Sequence, residues 1–373
     1  MKLQKALSDK EYKKIAIIGA GLSSCLLADE LLDSGFHGQI DVFEVNKDFY
    51  EDRVWSFWYK KQDFKYEHLL AKSWDAQLVM SKSDKHVLDS DFYAYGSIFA
   101  VDFFAYIKTK YAENQKIDFK FSSPVDDLTH LFANYDLVFD SSSKSISAKP
   151  QQLWQVFYGV KIKTNQPCFD DSKAILMDFN SEHDHAVHFF YVLPFAENEA
   201  LIESTYFTNT ASIEQDVFEK DIKAYLQKHK IENYQIQYTE QASLPMFGFN
   251  LKPSDEKHFL IGTVGDFAKS STGYSFMNAL KQARFITKNL QNLTKIKARS
   301  NFHSLLDLIF TQHLLDYPEF AAETFMQFFK ANSSDLLIRF LNDDSSLFED
   351  LQVICSLPKI SMLKSSLKAV LSA

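Results

Sequence analysis

The stretch "ALIESTYFT" (200–208) puts a carboxylate where apolar neighbours make one costly. Its alternation and its β-branched and aromatic residues predict a strand. Side chains alternate along a strand, so Glu203 shares a face with Leu201 and Phe207, and Ser204 lies on the other face with Ile202 and Tyr206. A carboxylic acid held among apolar side chains has a raised pKa, stays protonated near neutrality and can donate a proton. The alternatives are a strand-edge carboxylate in water, or a buried one paired with an arginine. Asp178 in "LMDF" (176–179) has two readings as well: a second site carboxylate, or a strand-end residue capping a turn.

A second chemical signal is the turn Gly19-Ala20-Gly21 with Ser24 in the third place of a G-x-G-x-x-G pattern. Residues 15–18 are a short apolar run, as in a strand buried on both faces. Helical spacing follows over 22–32, Gly35 and Gly38 end it, and a second strand over 40–44 finishes on Glu44. In such a βαβ unit the first glycine makes the tight turn and the second lets the backbone approach a pyrophosphate. The third place, where a small serine serves, packs helix on strand, and the acid accepts from a ribose hydroxyl. The alternative is an ordinary βαβ turn. Position in the chain does not choose between NAD and FAD. The late segment "IGTVGDFAKSSTGYSFMNAL" (261–280) resembles the C-terminal Gly-Asp motif of the FAD-dependent hydroxylase-like superfamily. In that resemblance Gly265 and Asp266 meet the flavin's ribityl chain and Gly273 lies near the ring, which implies FAD in preference to free NAD.

The elements that must position these groups follow from pattern. Residues 53–105 are aromatic and mixed, and "NYDLVFDSSS" (134–143) reads as a buried strand with a small-residue turn. Several alternating runs from 150 to 250 ("LWQVFYGVKIKT", "AILMDFN", "AVHFFYVLPFA", "EALIESTYFT") predict an antiparallel sheet, and "IEQDVFEKDIKAYLQKHKI" (213–231) inside that span predicts a helix. The stretch 258–290 reads as strand, glycine loop and helix, and the chain is helical from 299 onward. The expected fold is α/β: a Rossmann-like FAD-binding domain from residues 12–70, 100–148 and 255–295, an inserted antiparallel β-sheet substrate domain from 71–99 and 149–254, and a helical C-terminal region over 296–373.

Length and composition bound the function. The 373 residues and 46% hydrophobic content suit a large α/β unit with a packed interior. A net charge of −9 without a basic block sets nucleic acid aside. The three cysteines, Cys25, Cys168 and Cys355, are far apart, which argues against disulfides or zinc and fits a reducing compartment. His185, His188, His303 and His313 lack metal spacing, so no metal is expected. The start lacks a signal peptide's apolar stretch, and no run reaches the ~18 apolar residues that span a bilayer. The 35 phenylalanines are explained by core filling or by a pocket for a long apolar ligand.

Taken in order, these stretches resemble the lycopene β-cyclases, flavin-dependent enzymes that close carotenoid rings. "IAIIGAGLSSCLLADELL" resembles the family's opening, and "RVWSFW" (53–58) its Arg/Lys-x-Trp-x-Phe-Trp/His segment. "LWQVFYGVKIKT" with "LMDF" resembles its Gln-x-Phe-x-Gly and Met-Asp-Phe pieces. "YVLPFAENEALIESTYFT" resembles the segment with its Leu-x-Glu-Asp/Glu-Thr motif, and "LPMFG" and "IGTVGDFAKSSTGYSF" its last two motifs. Ser204 replaces the motif's second acid, Asp266 a second glycine and Ser270 a proline; the Ser204 departure bears most on chemistry. The resemblance implies a redox-neutral isomerisation: a proton adds to the terminal double bond of a ψ end, the cation is attacked by the next double bond, and a ring proton leaves. Glu203 then becomes the acid, with Asp178 as a second carboxylate. A reduced FAD, with NAD(P)H as reductant, supplies electrostatic stabilisation of the cation. Arg53 falls near the flavin, and Trp55, Phe57, Trp58 and Tyr274 against the flavin or the polyene, with core packing or a surface position as the alternatives. The implied substrate is lycopene or a related ψ-end carotenoid. It places the protein in the cytoplasm, peripheral on a membrane's inner face, with the segment 357–373 (Ile360, Leu363, Leu367, Val370 and Leu371 opposite Lys359, Lys364 and Lys368) as an interfacial helix or a helix packed on its own protein. Two rivals remain: an FAD-dependent monooxygenase of the same fold, and a non-catalytic carotenoid-binding protein. A halogenase is disfavoured by the lack of its lysine and tryptophan motif.

Overall fold

A computed structural model describes residues 12–49, 53–142, 152–180, 187–248, 251–267, 269–294, 296 and 299–372, the last three of these as backbone only. His185, and the side chains of Val370 and Leu371, lie outside the described residues. The chain begins with β1 (Lys14–Ile18), α1 (Leu22–Asp33) and β2 (Gln39–Phe43), followed by β3 (Val54–Lys60), β4 (Lys72–Trp74), β5 (Ala76–Met80), β6 (Lys85–Asp89) and β7 (Tyr93–Phe99). After α2 (Ala100–Tyr111), β8 (Ile117–Lys120), α3 (Thr129–Asn134) and β9 (Leu137–Asp140) come the long strands β10 (Trp154–Thr164), β11 (Lys173–Asp178), β12 (Val187–Ala196) and β13 (Glu199–Thr208). Helix α4 (Gln215–Lys228), β14 (Tyr234–Pro245), β15 (His258–Leu260) and α5 (Phe276–Asn289) lead into α6 (Asn301–Asp316), α7 (Ala321–Lys330), α8 (Ser334–Leu341), α9 (Leu347–Ser356) and α10 (Lys359–Ser372).

The first sheet is parallel, in the order β15-β9-β1-β2-β8. Its strands are short and apolar because both faces are covered. Ile15 and Ile17 pack one face against Leu27 and Leu31 of α1 and Leu280 and Ile286 of α5, and Ala16 and Ile18 pack the other against Leu131 of α3. The second sheet has seven strands, β14-β10-β13-β12-β11-β5-β6, antiparallel except where β11 runs parallel to β5. One face carries α4 and the other faces the C-terminal helices. Two expectations need correcting. Residues 71–99 do not belong wholly to the large sheet: β4 and β7 pair with β3 in a separate three-stranded sheet, and only β5 and β6 join the seven. The strand β14, full of glutamine and polar on its exposed side, was absent from the expected set, because period-2 patterning is faint on an edge strand in water.

Candidate functional site

Two cavities meet between these sheets. The first, about 620 Å³, lies over the carboxyl ends of the parallel strands and is lined by Gly19, Gly21, Glu44, Arg53, Ser141, Gly262 and their neighbours. Gly19 takes φ +84°, a conformation natural to glycine, and a Cβ there would stand 2.6 Å from Ser141 Oγ. Gly21 begins α1 with no side-chain cap, and a Cβ on it would meet nothing within 4 Å. The first-turn N–H groups of α1 therefore face open space with no intrahelical partner, which suits an anion. Glu44 accepts from Ala20 N–H at 2.7 Å, Asn46 N–H at 2.9 Å and Asn46 Nδ2 at 2.7 Å. It braces the turn and still has lone pairs for a ribose hydroxyl. The donor set, the glycine cradle and the acid fit a dinucleotide.

The second cavity, about 690 Å³, is mostly apolar. It lies between the inner face of the large sheet and the helices α6–α10. Arg53, Trp55, Thr263 and Ser275 line both cavities and mark the junction. The register of the strands arranges the sheet floor in rows. Glu240, Gly159, Glu203 and Tyr191 form one row across β14, β10, β13 and β12; Ala242, Phe157, Thr205 and Phe189 form the next; Leu244, Gln155 and Phe207 the third. Acids thus sit at one end of a floor that becomes aromatic and aliphatic away from them. Gln155 Oε1 and Thr205 Oγ1 are buried in this wall with no hydrogen-bond partner among the described residues.

Glu203 is 8% exposed. Burial, and then the charge and hydrogen bond of Glu240, hold its carboxyl well above the usual carboxylate range. Gly159 is what lets the two acids meet: a Cβ there would stand 2.8 Å from Glu203 Cγ and 3.3 Å from Glu240 Cγ. Glu240 Oε2 accepts from Val54 N–H at 3.1 Å and from the Tyr238 hydroxyl at 3.3 Å. Beside the pair, the Tyr191 and Tyr95 hydroxyls are 2.8 Å apart, and the Tyr274 phenol, hydrogen-bonded to Tyr95, is pushed up to about 12 by burial. This aromatic wall is packed by Trp58, whose ring lies 5.3 Å from Tyr274 and whose indole N–H donates to Gln77 at 3.0 Å. The loop before α5 is fixed from behind by a buried ion network. Lys269 Nζ is 2.8 Å from Asp343 and 3.2 Å from Asp307, and Arg299 bridges the same two acids.

The structure brings Glu203, Trp58, Tyr274 and Gly273 to the apolar cavity, Gly19, Gly21 and Glu44 to the cleft, and Arg53 and Trp55 to the junction. Five others stand elsewhere. Asp178 is buried on the opposite side of β11, accepting from Asn180 N–H at 3.0 Å and the Tyr225 hydroxyl at 3.3 Å; it is a strand-end cap away from Glu203. Phe57 stacks on Phe276 at 4.3 Å within the core and lines neither cavity. Ser24 sits behind the turn, 3.0 Å from Ser141 Oγ, where its small side chain lets helix and strand pack. Gly265 and Asp266 are turned off the cleft wall. The chain coils into a 3₁₀ turn at Gly262–Gly265 directly after β15, so Gly262 (φ +65°) and Thr263 line the cleft instead. Ser204 points away from the cavity, to His188 Nε2 at 2.9 Å and Asp221 of α4 at 3.2 Å, so the departure it represents does not alter the acid's surroundings. Sequence reasoning missed Glu240, Gly159, Tyr95 and Tyr191. The available signal was Glu240's equal parity with Ala242 and Leu244 ahead of "LPMFG", and the glycine inside "LWQVFYGVKIKT".

Comparisons with known proteins bear on the family and the fold. The chloroplastic lycopene beta cyclase of Nicotiana tabacum is 26% identical over 141 residues, a stretch that is 35% of this chain and 28% of that protein. Among solved structures, a flavoprotein/dehydrogenase from Cytophaga hutchinsonii superposes with a TM-score of 0.58 at 12% identity, covering 96% of this chain and 100% of that one. A geranylgeranyl bacteriochlorophyll reductase-like protein from Thermoplasma acidophilum gives 0.57 at 10% identity, over 94% and 98% of the two chains. An HpxO variant from Klebsiella pneumoniae, complexed with FAD, gives 0.54 at 12% identity, over 93% and 100%. These likenesses establish the fold as that of the flavoprotein hydroxylases. The family described as lycopene cyclase protein matches residues 14–367, nearly the whole chain, and this protein belongs to it.

Proposed function

We propose that this protein is a lycopene β-cyclase, converting the ψ end groups of lycopene or a related carotenoid into β-rings without net redox change. The observation that carries the reading is the buried Glu203 carboxyl, held above the usual carboxylate range by burial and by Glu240, on the floor of an apolar cavity that opens onto the glycine-turn cleft. An alkene is a very poor base, so its protonation needs an acid held dry and close. Glu203 gives its proton to the terminal double bond, breaking O–H and forming C–H. The cation moves into the ring as the next double bond attacks, and a ring proton returns to a carboxylate. Tyr191, Phe157 and Phe189 bound this end of the cavity, and aromatic faces stabilise a carbocation through their quadrupole. Gly19, Gly21, the first turn of α1 and Glu44 would hold FAD; when bound and reduced by NAD(P)H, its ring supplies negative charge near the cation.

A carotenoid comes from a bilayer, and two features support entry from one. Phe348 and Ile360 are 77% and 76% exposed, and Leu347, Leu351, Leu363 and Leu367 join them on α9 and α10. Lys359, Met362 and Leu363 also line the apolar cavity, so its helical wall continues into this apolar surface. No helix among the described residues is long and apolar enough to cross a membrane. Peripheral attachment to a membrane follows from the substrate, and we place it on the cytoplasmic face. The test is expression in cells that make lycopene, with pigments separated by chromatography and Glu203→Gln alongside. β-ringed products lost in Glu203→Gln establish cyclase and acid together; unchanged lycopene from a folded, flavin-loaded protein removes the reading and promotes a monooxygenase.

A further inference from the structure

The acid row holds two carboxyls, and only one is assigned a part above. Glu240 comes from an edge strand 37 positions along the chain, yet the register sets it beside Glu203 with only Gly159 between them. Two donors, Val54 N–H and the Tyr238 hydroxyl, are aimed at a single Glu240 oxygen, which favours negative charge on that member. Glu203 sits deeper in the aromatic floor, opposite Tyr191. We propose that Glu240 is a positioning residue for the Glu203 acid: reaching over Gly159, it keeps one proton on the carboxyl pair and makes the pair take that proton back after each cyclisation.

The chemistry rests on the cyclase reading. With one proton on the pair, Glu203 is the acid and Glu240 its anionic neighbour. When Glu203 gives the proton to the alkene, two carboxylates are left side by side out of water, an arrangement strongly disfavoured by their mutual repulsion. The pair is then a far stronger base than a lone carboxylate, and it recovers a proton from the ring carbon beside the cation. One O–H bond is broken and one re-formed, one C–H bond is formed and another broken, and no oxidant or reductant is consumed. A lone buried acid meets only half of this requirement. Among the described residues, several other titratable or charged groups neighbour the pair. Arg53 and Tyr191 share its cavity wall, the Tyr95 and Tyr274 phenols stand beside Tyr191, Tyr238 bonds Glu240, and Lys161 lies on the same face of β10 but is tied to Glu199 at 2.6 Å.

The experiment compares the full-length, FAD-loaded protein with Glu240→Gln, Glu240→Asp and Glu203→Gln, following β-ring formation from lycopene in liposomes across pH. Glutamine keeps the shape and removes the charge. The expected result for Glu240→Gln is a fall in kcat with KM unchanged, and an alkaline limb moved down by roughly one pH unit or more, the effect of deleting a like charge at contact distance. Glu240→Asp should restore part of both. A Glu240→Gln enzyme with the wild-type limb and wild-type kcat overturns the proposal while leaving the cyclase reading intact. If that variant fails to fold, the infrared band of a buried carboxylic acid in the wild-type protein decides. A single acid band removed by Glu203→Gln and titrating above neutrality supports the pair. Titration in the ordinary carboxylate range overturns it. A wild-type protein that forms no rings defeats the cyclase reading, and the infrared titration still tests the pair.

Discussion

Gly159→Ala tests the acid row with a single carbon. The added Cβ would stand 2.8 Å from Glu203 Cγ, 3.3 Å from Glu240 Cγ and 3.3 Å from Leu201 Cδ1, against about 3.4 Å for the closest ordinary contact. The Glu203 side chain therefore has to retreat by about 0.6 Å, and its neighbours give less. Two effects compete for stability. Replacing glycine inside a strand gains roughly 0.5–1 kcal/mol from the unfolded chain. Forcing a methyl group into a packed wall costs about 1–3 kcal/mol. The balance is a net loss of about 1–2 kcal/mol, read as a lower urea midpoint with an unchanged slope. The effect on rate is larger, because the acid is displaced relative to the double bond it protonates. A shift approaching 1 Å costs up to about a hundredfold, so a ten- to hundredfold fall in β-ring formation is expected with flavin binding intact. An alanine variant with wild-type rate and wild-type stability would refute the meeting of the two carboxyls over Gly159, and with it the account of why this strand contains a glycine.

Other substitutions separate the cavity from its supports. Glu203→Gln removes the donor and the repulsion together, so activity should fall by at least a hundredfold while the thermal midpoint stays level or rises. Asp178→Asn should leave β-ring formation within about twofold of wild type and lower stability by roughly 1 kcal/mol through weakened bonds from Asn180 and Tyr225, read by urea unfolding. Glu44→Ala strips the acceptor from Ala20 N–H and both Asn46 donors, and should weaken FAD retention in equilibrium dialysis at least tenfold with the fold preserved. Burial alone would raise the Asp343 carboxyl, but Lys269 and Arg299 hold it well below the usual carboxylate range. Its contribution to stability is then full above an ordinary carboxylate pKa of about 4 and is lost as pH falls through the lowered value. Thermal midpoints taken across acid pH should fall less steeply in Asp343→Asn, which starts from a lower stability.

The parts of the sequence that report on themselves were legible. The βαβ unit is a local pattern in which apolar run, glycine turn, helix and acid all lie within about thirty residues. The strands of the large sheet declared themselves wherever both faces are buried, as along β12 and β13. What could not be read was pairing. Glu240 looks like any glutamate in a polar strand until β14 is laid beside β10, and the glycine of β10 acquires its meaning only between two acids. The division of residues 71–99 between two sheets is hidden for the same reason: strand type is local and strand partner is not. Asp266 shows a different limit. The Gly-Asp dipeptide is present, but its direction is set by the 3₁₀ turn that precedes it.

Strand alternation also settles the meaning of Ser204. Two adjacent residues of a strand point to opposite faces, so a pair of acids in sequence cannot deliver two carboxyls to one cavity. Whatever occupies position 204 faces α4, where this chain already provides an acid, Asp221, beside His188 and the Tyr206 hydroxyl. A second carboxyl for the cavity has to come from the same row on another strand, and of the other places in the row through Glu203, Tyr191 on β12, Gly159 on β10 and Glu240 beyond it on β14, only the last holds an acid. Restoring an acid by Ser204→Glu should therefore gain no activity. It would set a new carboxylate against Asp221, about 3 Å from where the serine hydroxyl now donates, and should lower stability by about 2 kcal/mol or more through a buried like-charge contact. A Ser204→Glu enzyme that cyclises faster than wild type would mean that the strand turns its 204 side chain into the cavity, and the row argument would fall.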